Sequence, residues 1–273
     1  MGQRLPKLDT DPVTRIWMAG ALFMVALFVS TLPAYWIDER TTNGVSVWLK
    51  PIKFQVSLAI QFMSVALLAQ LVIRSTRTSL VFLAGTYVVT AALIFEIVYI
   101  MAQAGRGRAS HFNLDTPFEA LMYNLMGLGA VILVLVPMIL GVLIWRRTDD
   151  AATEETIPGL RLGAILGLLV SGVLTLIVAG YMSINGGHWV GPATSDVSGL
   201  PLVGWSREVG DLRVAHFFAT HAMQVLPVLG LIADRIPGLP ARPTVWTGTI
   251  LWIALTLALF LQALAGDPLV PRS

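Results

Sequence analysis

Apolar runs recur along this sequence at about 16–36, 45–73, 79–103, 118–145, 160–183, 206–233 and 245–265, each long enough to cross a bilayer. A helix needs roughly 20 apolar residues to span the hydrocarbon core. A spanning helix also satisfies its own backbone hydrogen bonds where no water can do so. The reading is an all-α integral membrane protein with seven transmembrane helices in one bundle, a single polytopic domain over residues 1–267. Only 12% of residues are charged, about half the share usual in a soluble domain. The first run is read as a span because its apolar core is too long for a signal peptide and STLPA is a poor cleavage match. Residues 268–273 read as the remnant of a protease-cleavable tag.

Seven spans put the termini on opposite sides, and positive charge chooses between the two orientations. With the N-terminus cytoplasmic and the C-terminus outside, the inner segments carry Arg4, Lys7, Arg15, Arg74, Arg77, Arg146, Arg147, Arg161, Arg235 and Arg242. The outer side holds Arg40, Lys50, Lys53, Arg106, Arg108, Arg207 and Arg213. The bias favours this orientation and suits a bacterial inner membrane. Trp36, Trp48, Trp189 and Trp205 are then expected at the outer interface, with Trp17 and Trp145 at the inner one. Gly163, Gly167 and Ser171 repeat every four residues on the fifth span, a small-residue face for close helix approach.

Several chemistries are excluded outright. The chain has no cysteine, hence no disulfide, thiolate zinc site, iron–sulfur cluster or covalently attached haem. No lysine follows Lys53, so a retinal Schiff base in the last helix is impossible. Neither a GxxxxGK[ST] phosphate loop nor a GxSxG elbow occurs. The last span has no histidine, unlike zinc-dependent seven-helix membrane hydrolases. No basic run suits a nucleic acid, and no such partner is expected; the partners expected are the bilayer and a small organic or lipid ligand.

The histidines carry the remaining signal. His111, His188, His216 and His221 all fall on the outer side of this topology, the last two within GDLRVAHFFATHAMQ at 210–224. Polar residues at helical spacing converge there: Lys50, Lys53 and Ser57 on the second span, Glu96, Tyr99 and Gln103 on the third, and Glu119 and Tyr123 on the fourth. On the sixth, Arg213, His216, Thr220 and Gln224 share a face, while His221 lies about 140° round from His216. Glu96 lies below the outer end of its helix, where an ionisable side chain signals function by default. A helix-locking ion pair with Lys50, Lys53 or Arg213 is the structural alternative. Pro227 is expected to kink the sixth span, and the Gly- and Pro-rich segment 184–204 to form a lid.

Three readings follow. The first is a site for a divalent metal ion or a b-type haem, with His111, His188, His216, His221 and Asp211 as ligands, in a redox or metal-dependent membrane enzyme. The second is an outward-facing receptor or transporter for an organic or lipid-like ligand, its cavity lined by Lys50, Lys53, Glu96, Tyr99, Gln103, Arg213, Thr220 and Gln224. The third makes the histidines hydrogen-bonding residues of an assembly protein.

Overall fold

Helix boundaries follow from local chemistry. The computed structural model describes residues 10–146, 157–193 and 195–272; Arg4, Lys7, Arg147 and the acidic segment 148–156 lie outside them. Helix α1 (Pro12–Ile37) starts on Asp11, whose carboxylate accepts from Thr14 N at 3.0 Å, with Pro12 at the first helical position. An Asn43-Gly44 turn, both residues at positive φ, joins strands β1 (Thr41–Thr42) and β2 (Val45–Ser46). Helix α2 (Leu49–Leu68) tightens into a 3-10 turn at Ala69–Leu71, and the short α3 (Arg74–Arg77) leads to α4 (Leu80–Gly105). Helix α5 (Pro117–Trp145) is capped by Thr116, which also donates to Glu119 Oε2 at 3.1 Å. Then come α6 (Pro158–Ile184), β3 (Trp189–Val190), β4 (Gly210–Asp211), α7 (Leu212–Arg235) and α8 (Ala241–Leu264).

Seven of these helices are long and apolar enough to cross a membrane, and the protein is an integral membrane protein of helical-bundle architecture. The sixth span begins at Leu212 rather than near 206 because Gly210–Asp211 pairs with β3 and Asp211 caps the helix. The second begins at Leu49 because Val45–Ser46 belongs to the hairpin.

The bundle is asymmetric along its axis. Val13, Trp17, Phe62, Leu71, Leu93, Ile144, Ile157 and Leu168 belong to one apolar core that fills the half nearest the start of α1. That end is closed by polar contacts: Arg77 with Asp11, Asp234 accepting from Gly159 N and Leu160 N at 2.8 Å each, and Arg161 donating to Ile144 O. Trp17, expected at an interface, is instead 1% exposed and packs on Phe82, because its ring fills the gap between α1 and α4. Trp36 and Trp145 are exposed at helix ends.

Helices α6 and α7 make the closest pairing. A Cβ on Gly167 would stand 2.8 Å from Ala222 O, and one on Gly163 would collide with Leu226 O. Ser171 completes the face by donating to Thr220 O at 2.9 Å.

Candidate functional site

The opposite half of the bundle is polar, and three connections and the end of α8 meet there. Arg40 at the α1–α2 hairpin donates to Gly105 O at 2.9 Å, and Asp196 N donates to Asn43 O. Lys50 Nζ stands 3.0 Å from His111 Nδ1, and Gly210 lies against Ala263 of α8. His111, His188 and His216 therefore share one end, with His221 nine residues along α7 from Leu212. Residues 268–272, the expected tag remnant, run along it too, and Arg272 N donates to Arg207 O.

His111 is placed by a tightly bonded loop. Gln103 and Asn113 both donate to Ala109 O, and Arg108 grips Glu119 with contacts of 2.7 and 2.8 Å. Phe112 adopts φ 55, a left-handed conformation uncommon for a bulky residue and typical of sites where the surroundings enforce it. With Lys50 an ammonium, which has no acceptor, His111 Nδ1 accepts from it, as the neutral Nε2–H tautomer does. Burial, then the charge of Lys50, then His216 hold His111 well below the ordinary histidine range. Phe54, Phe112 and Tyr123 surround the ring at centroid distances of 5.7, 6.3 and 6.4 Å.

Below this loop lies Glu96, 3% exposed. Its Oε1 has no hydrogen-bond partner among the described residues. Gly129 of α5 makes room for it, since a Cβ there would stand 3.0 Å from that oxygen. Lys50 is the cation whose field reaches it. His216 is in electrostatic reach of both His111 and His221, while the His221 ring packs at a tilt against Phe217 with centroids 4.2 Å apart. The two imidazoles of α7 thus meet different neighbours.

Arg213 has another task. Its guanidinium contacts Asp196 at 2.6 Å, Gly204 O at 2.7 Å and Asp211 at 2.7 Å, and Lys53 donates to Val203 O at 2.8 Å. Both cations clasp the 195–205 segment onto the bundle. His188 Nε2 lies 3.5 Å from Asp196 Oδ1. Burial pushes the Asp196 carboxyl up, but the His188 and Arg213 contacts outweigh it and leave the carboxyl below its usual range. Hydrogen bonds to charged groups are worth about 1.5–3 kcal/mol. Arg213→Ala is therefore expected to raise amide hydrogen exchange across 195–206 roughly tenfold or more; unchanged exchange would show that other contacts hold the segment.

The structure brings together Lys50, Glu96, His111 and His216, with His221 beside them. It places the other sequence candidates elsewhere. Lys53, Arg213 and Asp211 serve the clasp, and Gln103 belongs to the Glu119 network. Tyr99 lies buried against Ile100 and Met126, its hydroxyl unpartnered among the described residues. Thr220 bonds back to His216 O and Phe217 O, and Gln224 crosses the bundle to Ser64 at 3.2 Å. Ser57 is exposed on the outer face of α2.

Nor are His111, His188, His216, His221 and Asp211 gathered into one ligand set. Among the described residues no three His, Asp or Glu side chains are placed to hold a metal ion. The carboxylate of Asp211 is already engaged by Arg213 and Ser206 N. Sequence reasoning missed Asp196, Gly129 and Phe54: the first lies in a segment without periodicity, and the other two look like ordinary helix residues.

The fold and this polar end define a seven-span membrane protein with a cluster of ionisable side chains, Glu96 buried and Lys50, His111 and His216 partly buried. No protein-family model matches the sequence, and no curated protein or solved structure is significantly similar to it.

Proposed function

We propose that this protein binds a small organic ligand in the polar half of its bundle, through Lys50, Glu96, His111 and His216, as a receptor, transporter or ligand-handling membrane protein. One observation carries the reading. Lys50 is the nearest partner of His111 and also the cation facing Glu96, so the cluster offers fixed donors and an acceptor at depth, as organic ligand sites do. A bare divalent ion fits less well, because the Lys50 ammonium occupies His111 Nδ1 and adds like charge. The excess of arginine and lysine on the segments at the α1-start end supports a cytoplasmic N-terminus, an outward-facing site and a bacterial inner membrane.

A b-type haem is the second reading. It is favoured by His111 and His216 approaching from a loop and a helix, since such haems take histidines from facing segments.

Absorbance and native mass spectra of protein purified without chelator separate the two. The expected result is a bound organic mass, no Soret band, and loss of that mass in folded Lys50→Met and His111→Ala variants. A Soret band abolished by His216→Ala would instead establish haem. Protein carrying neither an organic mass nor a chromophore would overturn both readings.

A further inference from the structure

We infer that the ligand is a lipid-soluble ring bearing hydroxyl or carbonyl oxygens, of the quinol and quinone class, with one ring oxygen between Lys50 and Glu96. This rests on the ligand-binding reading above and names its substrate class.

The polar requirement comes from two side chains. Glu96 Oε1 is a buried acceptor with no partner among the described residues, lying against the bare Cα of Gly129. A buried acceptor left unpaired is costly, and more so when charged. Lys50, whose charge reaches Glu96, supplies donors: its ammonium bonds one acceptor, His111 Nδ1, and has three hydrogens to offer. A ring hydroxyl accepts from Lys50 and donates to Glu96 at once. A carbonyl oxygen accepts from Lys50 but gives Glu96 nothing, so the quinol binds more tightly than the quinone.

The apolar requirement comes from the walls. Lys50 lies 5.7 Å from the centre of the Phe54 ring. Phe54 packs in turn on Tyr99, Ile100 and Met126, an apolar cluster of ring and thioether groups of the kind that suits an aromatic partner. Tyr99, one turn along the Glu96 face of α4, has a buried hydroxyl that is likewise without a partner among the described residues. Glu96 is nine residues from the end of α4 at Gly105, roughly 14 Å into the bundle. At that depth a ligand with a soluble, charged body would lose its hydration, whereas a ring delivered from the bilayer would not.

Binding of decylubiquinol and decylubiquinone to the purified full-length protein, followed by saturable quenching of tryptophan fluorescence, tests this. Decylubiquinol is expected to bind more tightly than decylubiquinone. Glu96→Leu should weaken the quinol roughly ten- to hundredfold. Glu96→Gln, which keeps an acceptor oxygen, should retain most of the affinity. Gly129→Ala, which pushes a methyl group at Glu96, should weaken binding, and Thr220→Ala should not.

Equal quinol affinity in wild type and Glu96→Leu would overturn the inference, as would equally effective competition by 1-dodecanol. The thermal midpoint of each variant distinguishes lost binding from lost fold. A native organic adduct that depends on Lys50, in protein that binds no quinol, would sink the ring class alone and leave the ligand-binding reading standing.

Discussion

Replacing Arg77 with methionine is expected to destabilise the bundle by about 3–5 kcal/mol, the range for removing one partner of a buried ion pair. Asp11 and Arg77 meet at 2.7 Å with side chains 1% and 5% exposed. Arg77 also donates to Ala69 O and Val72 O where α2 ends, so its loss strips partners from carbonyls as well as from a carboxylate. Tryptophan-detected melting should show the midpoint falling by roughly 10 °C. A fall of less than about 2 °C would show that the pair contributes little. The same contact has an acid signature. Burial raises the Asp11 carboxyl, but hydrogen bonds from Thr14 and the charge and hydrogen bond of Arg77 outweigh it and leave the pKa below the ordinary value. A carboxyl held low in the folded state binds its proton more readily when unfolded. Its stabilisation is therefore complete above the ordinary carboxylate value, near pH 4, and is lost as pH falls from there through the lower folded-state value. Arg77→Met should lose less stability than the wild type across that interval.

The spans were legible because lipid allows few alternatives: a long apolar run must be a helix, and the observed helices depart from the expected ones mainly where caps decide. Asp211 shows the limit. Its role as a cap was implicit in its position before Leu212, but the strand pairing that moves the sixth span's start requires Trp189, distant in sequence. The small-residue face of α6 was readable from spacing alone, because three small residues at four-residue intervals have one geometric use.

The polar end was readable in kind and not in assignment. Helical spacing gathered Lys50, Glu96, Arg213 and His216 on inward faces, but spacing carries no information about what a long side chain reaches. Arg213 turns to Asp196 and Gly204 in a segment without periodicity, and Lys53 turns to Val203. Lys50 turns to His111. Two of these cations thus hold one loop while the third holds a histidine, a division set by the path of that loop. The neutral tautomer of His111 is likewise a property of its neighbours, since it follows from an ammonium on one ring nitrogen.

Gly163→Leu is expected to do comparable damage through packing instead of charge. A Cβ at Gly163 would run into Leu226 O and the Pro227 backbone, groups that cannot swing aside as a flexible side chain would. Overpacking costs about 1–3 kcal/mol in ordinary cores, and occasionally more. Here the obstruction is backbone on a helix whose neighbouring contacts, Gly167 on Ala222 O and Ser171 on Thr220 O, must shift with it, so the upper end of that range applies. Because α7 carries Arg213 and His216, separating it from α6 should also loosen the 195–205 clasp. The variant should show both a lowered midpoint and faster hydrogen exchange at 195–206. Gly180→Leu on the same helix, where nothing lies within 4 Å of the added carbon, should show neither. Equal behaviour of the two variants would refute the close approach of α6 and α7 as the element that holds the polar end in place.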